Sequence, residues 1–379
     1  MSTIPTSSTE AYLPACNGQL NLRDACTWSL TRVNQSFHDR CYSQTFHPWS
    51  GTEGRIRIAR LRTDILDLSE NGSKYLSEPS YPQAISRVVN PAAANEGESY
   101  FLLDELKYGG VSYWSPFDLL GRFISLTGPA PRGATRDNFY LPLTLMYINW
   151  CRKIAPLAPF VYSCVWAEQK DKQSRFHLGG SLAGYRNAEG QGNRWVKILQ
   201  RARFNVLRDQ RTDTAGIKFE STALKGRTGN FIPFGNCAET YPLASVLRNR
   251  APGEEVYGFA MMRGRLPQDG PCSHKEALDA TTEPCINCQQ VITTWGGKVE
   301  NFITDDMPGK STIAPFGVRS PTSRRAPKAS GSKIDLPARP KRAAPADETD
   351  EPAAKRAKVP APEVPKKPSH LVKGKGKRR

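Results

Sequence analysis

The sequence predicts a mixed α/β fold in the middle of the chain, between a mainly helical N-terminal region and a disordered basic tail. Segments with helical and strand periodicity alternate over residues 180–303, and such alternation implies a sheet covered by helices. Hydrophobic residues make up 38% of the 379 residues, which suffices for a core over part of the chain. After Pro315 the composition changes abruptly, and large apolar residues become rare.

The N-terminal half is expected to be mostly helical. Residues 1–95 are polar and mixed, and the helical signal is strongest over residues 98–172. Ser115 followed by Pro116 suits a helix N-cap and first helical position. Apolar segments follow at residues 140–151 and 160–166, and we interpret both as part of this helical region. Residues 1–179 are therefore predicted to form a mixed, mainly helical region of unknown role.

The predicted α/β domain spans residues 180–314. Residues 195–207 carry apolar side chains at helical spacing, and residues 216–224 alternate apolar and polar side chains as a strand does. Further along, the patterns predict a helix over 239–248, a buried strand over 255–262 and a helix over 285–295 that ends at two glycines. A short strand over 299–303 completes the predicted order.

Residues 315–379 are predicted to be a disordered tail. Ten prolines fall between residues 319 and 379, and this segment cannot bury enough apolar surface to offset the entropy cost of ordering. It carries 18 Lys and Arg against 6 Asp and Glu, whereas residues 1–318 carry 35 against 30. Most of the formal net charge of +17 therefore lies in the tail, where it favours non-specific attraction to nucleic acid.

The tail also has the form of a bipartite nuclear-localisation signal. Lys341 and Arg342 are followed, after 12 residues, by Lys355, Arg356 and Lys358. Basic runs of this kind suit import receptors or nucleic acid. We therefore expect a nuclear import receptor as a partner and the nucleus as the location. A solvated basic tail without a receptor is the alternative.

Composition excludes several other classes of protein. Nine cysteines in a chain of this length are too sparse for a disulfide scaffold. The first residues have neither the basic nor the apolar segment of a secretory signal. No run approaches the roughly 18 apolar residues of a membrane helix. These observations predict a soluble intracellular protein without a membrane partner, and the sequence leaves its oligomeric state open.

Two short motifs carry the chemistry. The chain reads G-N-C-A-E at residues 235–239 and P-C-I-N-C at residues 284–288. Cys285 and Cys288 are three residues apart, so both thiols lie on one face of a helical first turn and can clasp one ion. With Cys237 they make three ligands for Zn²⁺, and the fourth position stays open for water, as a catalytic site requires. Glu239 stands two residues from the first ligand.

Two other interpretations of the cysteines stay open. A C-x-x-C pair also occurs in thioredoxin-like redox sites, so Cys285 and Cys288 could be a redox pair. A structural zinc site is the stronger alternative, with Cys272 or His274 closing the fourth position. Such a site has no use for the Glu239 carboxylate.

The two motifs resemble those of the cytidine deaminase-like superfamily, whose members show a Cys-Ala-Glu or His-Ala-Glu triplet followed by Pro-Cys-x-x-Cys. The resemblance covers residues 180–303. It implies a three-layer α/β/α fold, with Cys237, Cys285 and Cys288 as zinc ligands and Glu239 as the general acid and base. It also implies hydrolytic deamination of cytosine to uracil, and adenine is possible because the same metal chemistry serves both bases.

Substrate contacts are predicted just before the first motif. Family members often place an aromatic residue and an Asn there, and Asn230, Phe231 and Phe234 occupy such positions in this sequence. A core or turn role is the alternative for each of the three. Tyr241 follows Glu239 closely and is predicted either to face the pocket or to pack.

The expected function is deamination of cytosine in DNA or RNA inside the nucleus. Nuclear targeting and the basic tail favour a polynucleotide substrate over a free nucleoside. One alternative is a deaminase of free nucleosides or nucleotides. Another is a catalytically inactive nuclear interaction protein that keeps the zinc for structure.

Overall fold

The computed structural model describes most of the first 303 residues, and all described residues belong to one compact unit, Met1–Ile313. The described ranges are 12–42, 52–73, 84–89, 101–169, 173–184, 194–208, 217–220, 224–225, 231–267 and 272–303. Asn230, the tail and the five basic residues of the predicted localisation signal lie outside them.

The helices of the described residues fall in three groups along the chain. The first group is α1 (Leu22–Cys26), α2 (Leu30–Tyr42) and α3 (Thr52–Asp67). The second is α4 (Pro116–Leu126) and α5 (Leu141–Ile154), the latter preceded by a π-helical turn, Arg136–Tyr140. The third is α6 (Arg194–Leu207), α7 (Thr240–Pro242), which continues as a π-helical turn over Leu243–Leu247, α8 (His274–Asp279) and α9 (Ile286–Thr294).

The strands form antiparallel pairs throughout the described residues. Two hairpin-like pairs lie in the N-terminal part: β1 (Arg87–Val89) with β2 (Phe101–Leu103), and β3 (Leu106–Tyr108) with β4 (Val111–Tyr113). The main sheet contains β5 (Val161–Glu168), β6 (Arg175–Gly180), β7 (Glu255–Met262) and β8 (Thr281–Thr282), in the order β6-β5-β7-β8. In this sheet β5 pairs with β6 on one side and with β7 on the other.

Helices pack on both faces of the main sheet. Tyr162 of β5 points to α5, where its ring lies 5.5 Å from that of Tyr147. The opposite face meets α7: a Cβ placed on Gly179 of β6 would stand 2.4 Å from the carbonyl oxygen of Ala238 and 2.5 Å from the ring of Pro242. Because Gly179 has no side chain, the chain that begins α7 lies directly on the sheet.

The structure corrects the prediction for residues 160–166, because residues 161–166 belong to strand β5 and not to a helical region. Six consecutive residues of β5, from Tyr162 to Ala167, are buried because helices cover both faces of the strand. A short apolar run of this kind has no alternation, so periodicity cannot distinguish it from a buried helix.

Two predicted strands are absent from the described residues. Residues 217–220 and 224 of the segment 216–224 are not in a strand, and Lys225 makes only an isolated bridge with Phe231. Residues 299–302 form a 3₁₀ turn in place of the strand predicted over 299–303. Phe302 in that turn is buried against Gly258 of β7, so the apolar positions are explained by contact with the sheet and not by pairing in it.

Other predicted elements are confirmed. Ser115 caps α4, with its hydroxyl accepting from the Asp118 amide at 3.3 Å and Pro116 at the start of the helix. Helices α6 and α9 and strand β7 lie where the periodicity predicts them. Helix α9 ends before Gly296, which has a φ of +68° that favours glycine.

The main sheet draws strands from both sides of the predicted boundary between residues 179 and 180. That boundary falls inside β6, and β5 lies on its N-terminal side while β7 lies on its C-terminal side. One hydrophobic cluster runs from Ala15 through Trp150 to Ala280, and a second lies between Val165 and Phe302. Among the described helices, none is both long enough and apolar enough to span a membrane.

A buried histidine makes the stability of this core depend on pH. His177 of β6 is opposite Val165 and is 1% exposed. Burial, together with the positive charge of Arg122, lowers the pKa of His177 to about 3. In the unfolded chain its pKa is about 6.5, so between these values the unfolded state binds a proton that the folded state does not. The free energy of unfolding therefore falls as the pH drops through this window.

We expect His177→Phe to reduce that dependence by about 1.4 kcal/mol for each pH unit between about 6.5 and 3. The measurement is urea unfolding at several pH values for the unaltered protein and the variant. His38→Gln is the control, since the His38 side chain is 52% exposed. An equal slope of stability against pH in the unaltered protein and in His177→Phe would contradict the assignment to His177.

Candidate metal centre

Three cysteine thiols from two distant segments meet at one end of α7 and α9. Cys237 lies in the loop before α7, Cys285 is the N-cap of α9, and Cys288 is in the first turn of that helix. The Cys237 and Cys285 sulfurs are 3.2 Å apart, and those of Cys285 and Cys288 are 3.6 Å apart. All three sulfurs lie within 4.8 Å of one another, and all three cysteines are free of disulfides.

The start of α9 favours a thiolate at Cys285. The pKa of Cys285 is lowered well below its usual value, chiefly by hydrogen bonds from the Cys237 and Cys288 thiols. The backbone amides of Cys288 and Asn287 act in the same direction, as expected at the positive end of a helix. The two backbone amides remain donors when all three cysteines are thiolates, so they offset part of the negative charge that the thiolates bring to one ion.

The first ligand is placed by a tight approach between its loop and α6. Gly235 has a φ of +88°, and a Cβ there would stand 2.3 Å from the Gln200 carbonyl oxygen. The loop is also tied to the residues after β6, because the Leu182 amide donates to the Asn236 carbonyl at 2.9 Å. Gly235 is therefore required both by its conformation and by the closeness of α6.

Glu239 is a buried carboxyl group beside the thiols. It is 5% exposed, and it interacts with Cys285 and Cys288. Burial, and next the negative charge of Cys285, raises the pKa of Glu239 to about 7. A carboxyl group with this pKa exchanges a proton readily near neutral pH.

The three thiols fit a metal ion. Two thiolates about 2.3 Å from a tetrahedral zinc ion stand roughly 3.8 Å apart. The sulfur–sulfur distances of 3.2 Å for Cys237 and Cys285 and 3.6 Å for Cys285 and Cys288 are slightly shorter than this. Among the residues that the structure describes, neither Cys272 nor His274 belongs to the cluster. The Cys272 thiol instead donates to the Ser273 carbonyl at 3.3 Å. The described chain thus supplies three ligands, and a fourth position stays available.

The predicted substrate contacts lie in different environments. Phe231 is 50% exposed, with the Lys225 ammonium group 5.3 Å from its ring centre. Phe234 is 3% exposed, packs 6.1 Å from the ring of Phe204, and lines a small cavity with Cys237. No side chain is described for Asn230. A substrate role for these residues stays a prediction.

Tyr241 packs in the core. It is fully buried, its ring stacks on that of Tyr113 at 4.6 Å, and its hydroxyl donates to the Ser112 carbonyl at 2.9 Å. Of the two roles predicted for Tyr241, packing is therefore the one observed.

Sequence reasoning missed two residues that brace the site. The Asn287 side chain, between the paired cysteines, donates to the Ile232 carbonyl at 3.0 Å and so ties α9 to the segment containing Phe231. Arg203 of α6 donates to the Cys237 carbonyl at 3.0 Å. Arg203 lies four residues after the buried Leu199, so both share one face of the helix. This spacing was the available signal that the Arg203 side chain is buried.

Comparison of the chain with protein-family models, with curated proteins and with solved structures gives no match.

The cluster predicts one tightly held metal ion per chain. We expect Cys237→Ser, Cys285→Ser and Cys288→Ser each to weaken zinc binding by at least about tenfold, because each removes a thiolate ligand. Zinc content after gel filtration and competition with a chelating dye measure this. Cys272→Ser is the matched control and should bind zinc as the unaltered protein does. An equal loss in Cys272→Ser would instead indicate a structural site with four cysteine ligands.

Proposed function

We propose that this protein is a zinc-dependent hydrolytic deaminase that converts cytosine to uracil in nucleic acid. The observation that carries the proposal is the meeting of three thiols within 4.8 Å, beside the buried carboxyl group of Glu239. A site that served structure alone would gain nothing from a buried acid next to three thiolates, because burying a carboxylate costs free energy.

Cys237, Cys285 and Cys288 are the residues that would hold the zinc ion, and sulfur donors suit zinc. When bound, zinc supplies the Lewis acidity that makes water nucleophilic near neutral pH. Glu239 takes a proton from the attacking water and gives it to ring nitrogen N3 of the base. It then takes the second proton, from the hydroxyl group now on C4, and gives it to the departing amine. At C4 of cytosine a carbon–oxygen bond forms and the carbon–nitrogen bond breaks, so the products are uracil and ammonia.

The order of elements also supports the proposal. The resemblance implies the order helix, strand, strand, helix, strand, helix, strand. Elements in this order run from α5 through β5, β6, α7 and β7 to α9, with α6, α8 and β8 as additions. The first helix of this order begins at Leu141 and not at residue 180. The last strand of the order is missing from the described residues, because a 3₁₀ turn follows α9 in its place.

A polynucleotide substrate is favoured by charge and by one exposed ring. The chain carries a formal net charge of +17, most of it in the tail. Phe231 is half exposed next to Lys225, and proteins that bind single strands combine exposed aromatic rings with basic groups. Phe231 is also close in sequence to Ile232, which Asn287 ties to the cysteine-bearing helix.

The proposal predicts that Glu239→Gln retains zinc but loses deamination. We expect conversion to fall by at least about 10²-fold, because general acid–base catalysis is removed. Purified zinc-loaded protein is tested on cytidine, single-stranded DNA, duplex DNA and RNA, and base conversion is scored by sequencing or chromatography. Glu300→Gln, which changes an exposed carboxylate in the 3₁₀ turn, is the control. Zinc binding without conversion on any substrate would favour a nuclear interaction protein with a structural zinc ion.

Deleting residues 319–379 tests the substrate class separately. Removing 18 basic residues should weaken binding and conversion of polynucleotides and make conversion less sensitive to salt, because fewer counterions are released on binding. Conversion of free cytidine should be unaffected. If the shortened chain converts every substrate as well as the full chain does, the free-nucleoside alternative becomes the better account.

A further inference from the structure

Arg203 is a buried arginine that donates hydrogen bonds to three backbone carbonyls around the metal centre. Its side chain is 3% exposed and lies between α6, β6 and the loop before α7. Nε donates to the Gly235 carbonyl at 2.8 Å, and Nη2 donates to the carbonyls of Gly180 at 2.8 Å and Cys237 at 3.0 Å. One guanidinium group therefore holds the end of a strand and two points in the loop that carries Cys237.

The charge of Arg203 is balanced from a distant part of the chain. Its Nη1 donates to the carboxylate of Asp118 in α4, whose side chain is also 3% exposed. The Ser115 hydroxyl donates to the same carboxylate oxygen at 2.9 Å. Two buried charges are costly to desolvate, and this second bond to the carboxylate offsets part of that cost.

The shape of the guanidinium group explains why the residue is arginine. Three carbonyls and one carboxylate surround it, and a planar fork with five donors can satisfy all of them. A lysine ammonium group keeps the charge but cannot span the same four acceptors. The central carbon of the guanidinium group also lies over the ring of Tyr241, 5.0 Å from the ring centre, and this contact further restricts its position.

We infer that Arg203 is a positioning residue for the metal centre: it fixes the backbone of Cys237 so that the thiol meets those of Cys285 and Cys288, and Asp118 holds Arg203 in place. The inference rests on the metal site of the proposed function but not on deamination. One of the three carbonyls that Arg203 binds belongs to the ligand residue Cys237 itself. The other two ligands lie on α9, to which Arg203 makes no hydrogen bond among the described residues.

The test is a double-variant cycle on metal affinity in the full-length chain. Zinc and Co²⁺ affinities are measured for Arg203→Lys alone, for Cys237→Ser alone and for the two together. We expect Arg203→Lys to weaken binding by about 10- to 100-fold, as loss of an outer bracing contact does in metal sites. In the Cys237→Ser background it should have no further effect, because no thiol is left to position.

The thiolate-to-cobalt absorption band gives a second measurement. Arg203→Lys should lower its intensity towards that of Cys237→Ser. A loss of affinity of equal size with and without Cys237 would overturn the inference, since it would reveal a general effect on folding. Unchanged affinity and an unchanged band in Arg203→Lys would overturn it too.

Arg175 provides a matched control. It pairs with Glu254 and donates to the carbonyls of Ser245, Val246 and Asn249, at the far end of the helical segment that begins at α7. Arg175→Lys should lower the thermal midpoint and leave the metal affinity and the cobalt band unchanged. An equal loss of metal affinity in Arg175→Lys would show that any loosening of this segment weakens the site, and would overturn the specific role of Arg203.

A second variant covers the case in which Arg203→Lys does not fold. Asp118→Leu with Arg203→Met replaces both charges by apolar groups, a change that buried ion pairs often tolerate. The folded double variant should show the same 10- to 100-fold loss of affinity, and wild-type affinity would overturn the inference. Metal binding by the unaltered chain without deamination refutes only the proposed function. Absence of metal binding by the unaltered chain would refute both.

Discussion

The buried ion pair between Asp118 and Arg203 connects the N-terminal helices to the loop that carries the first cysteine. Asp118 belongs to α4, and Arg203 reaches from α6 to the carbonyls of Gly180 and Cys237. A buried charge that loses its partner costs several kcal/mol. Arrangements in which Asp118 and Arg203 are apart are therefore strongly disfavoured. The position of the loop is therefore set by Asp118 and Arg203, which lie far before the motif in the sequence.

Glycines allow backbone segments near the candidate site to pack in direct contact. Gly179 lets the start of α7 rest on the sheet, and Gly235 lets the cysteine loop rest on α6. Gly121 of α4 approaches the Leu178 carbonyl so closely that a Cβ there would stand 2.2 Å from the oxygen. Helices held this near to strand backbone leave little room for adjustment, and a site built on such contacts is rigid.

The candidate site could be predicted from the sequence better than the fold around it. The spacing of Cys285 and Cys288 and the N-cap position of α9 follow from local geometry, and so does the cap of α4 by Ser115. Local rules hold there because the interacting groups are within one helical turn. In contrast, the burial of β5 on both faces depends on helices far away in sequence, and no local pattern reports that.

The same limit applies to single side chains. Arg203 is an ordinary helical residue in the sequence, and only the meeting of α4, α6 and β6 makes its charge important. The 3₁₀ turn at Val299–Phe302 is similar, since its apolar residues were expected to pair in the sheet and are instead explained by Phe302 packing on Gly258. Tertiary contact overrides local preference at these positions.

The main sheet also determines where the coding sequence can be divided without loss of the fold. A fragment that starts at residue 180 would keep all three cysteines and Glu239, and it would look like a complete motif-bearing unit. It would lack β5 and all of β6 except Gly180, so β7 would lose the strand it pairs with on that side. It would lose Asp118 as well. Exchange of modules by recombination or alternative splicing at that point would yield a chain with the motif but without the scaffold that brings its parts together.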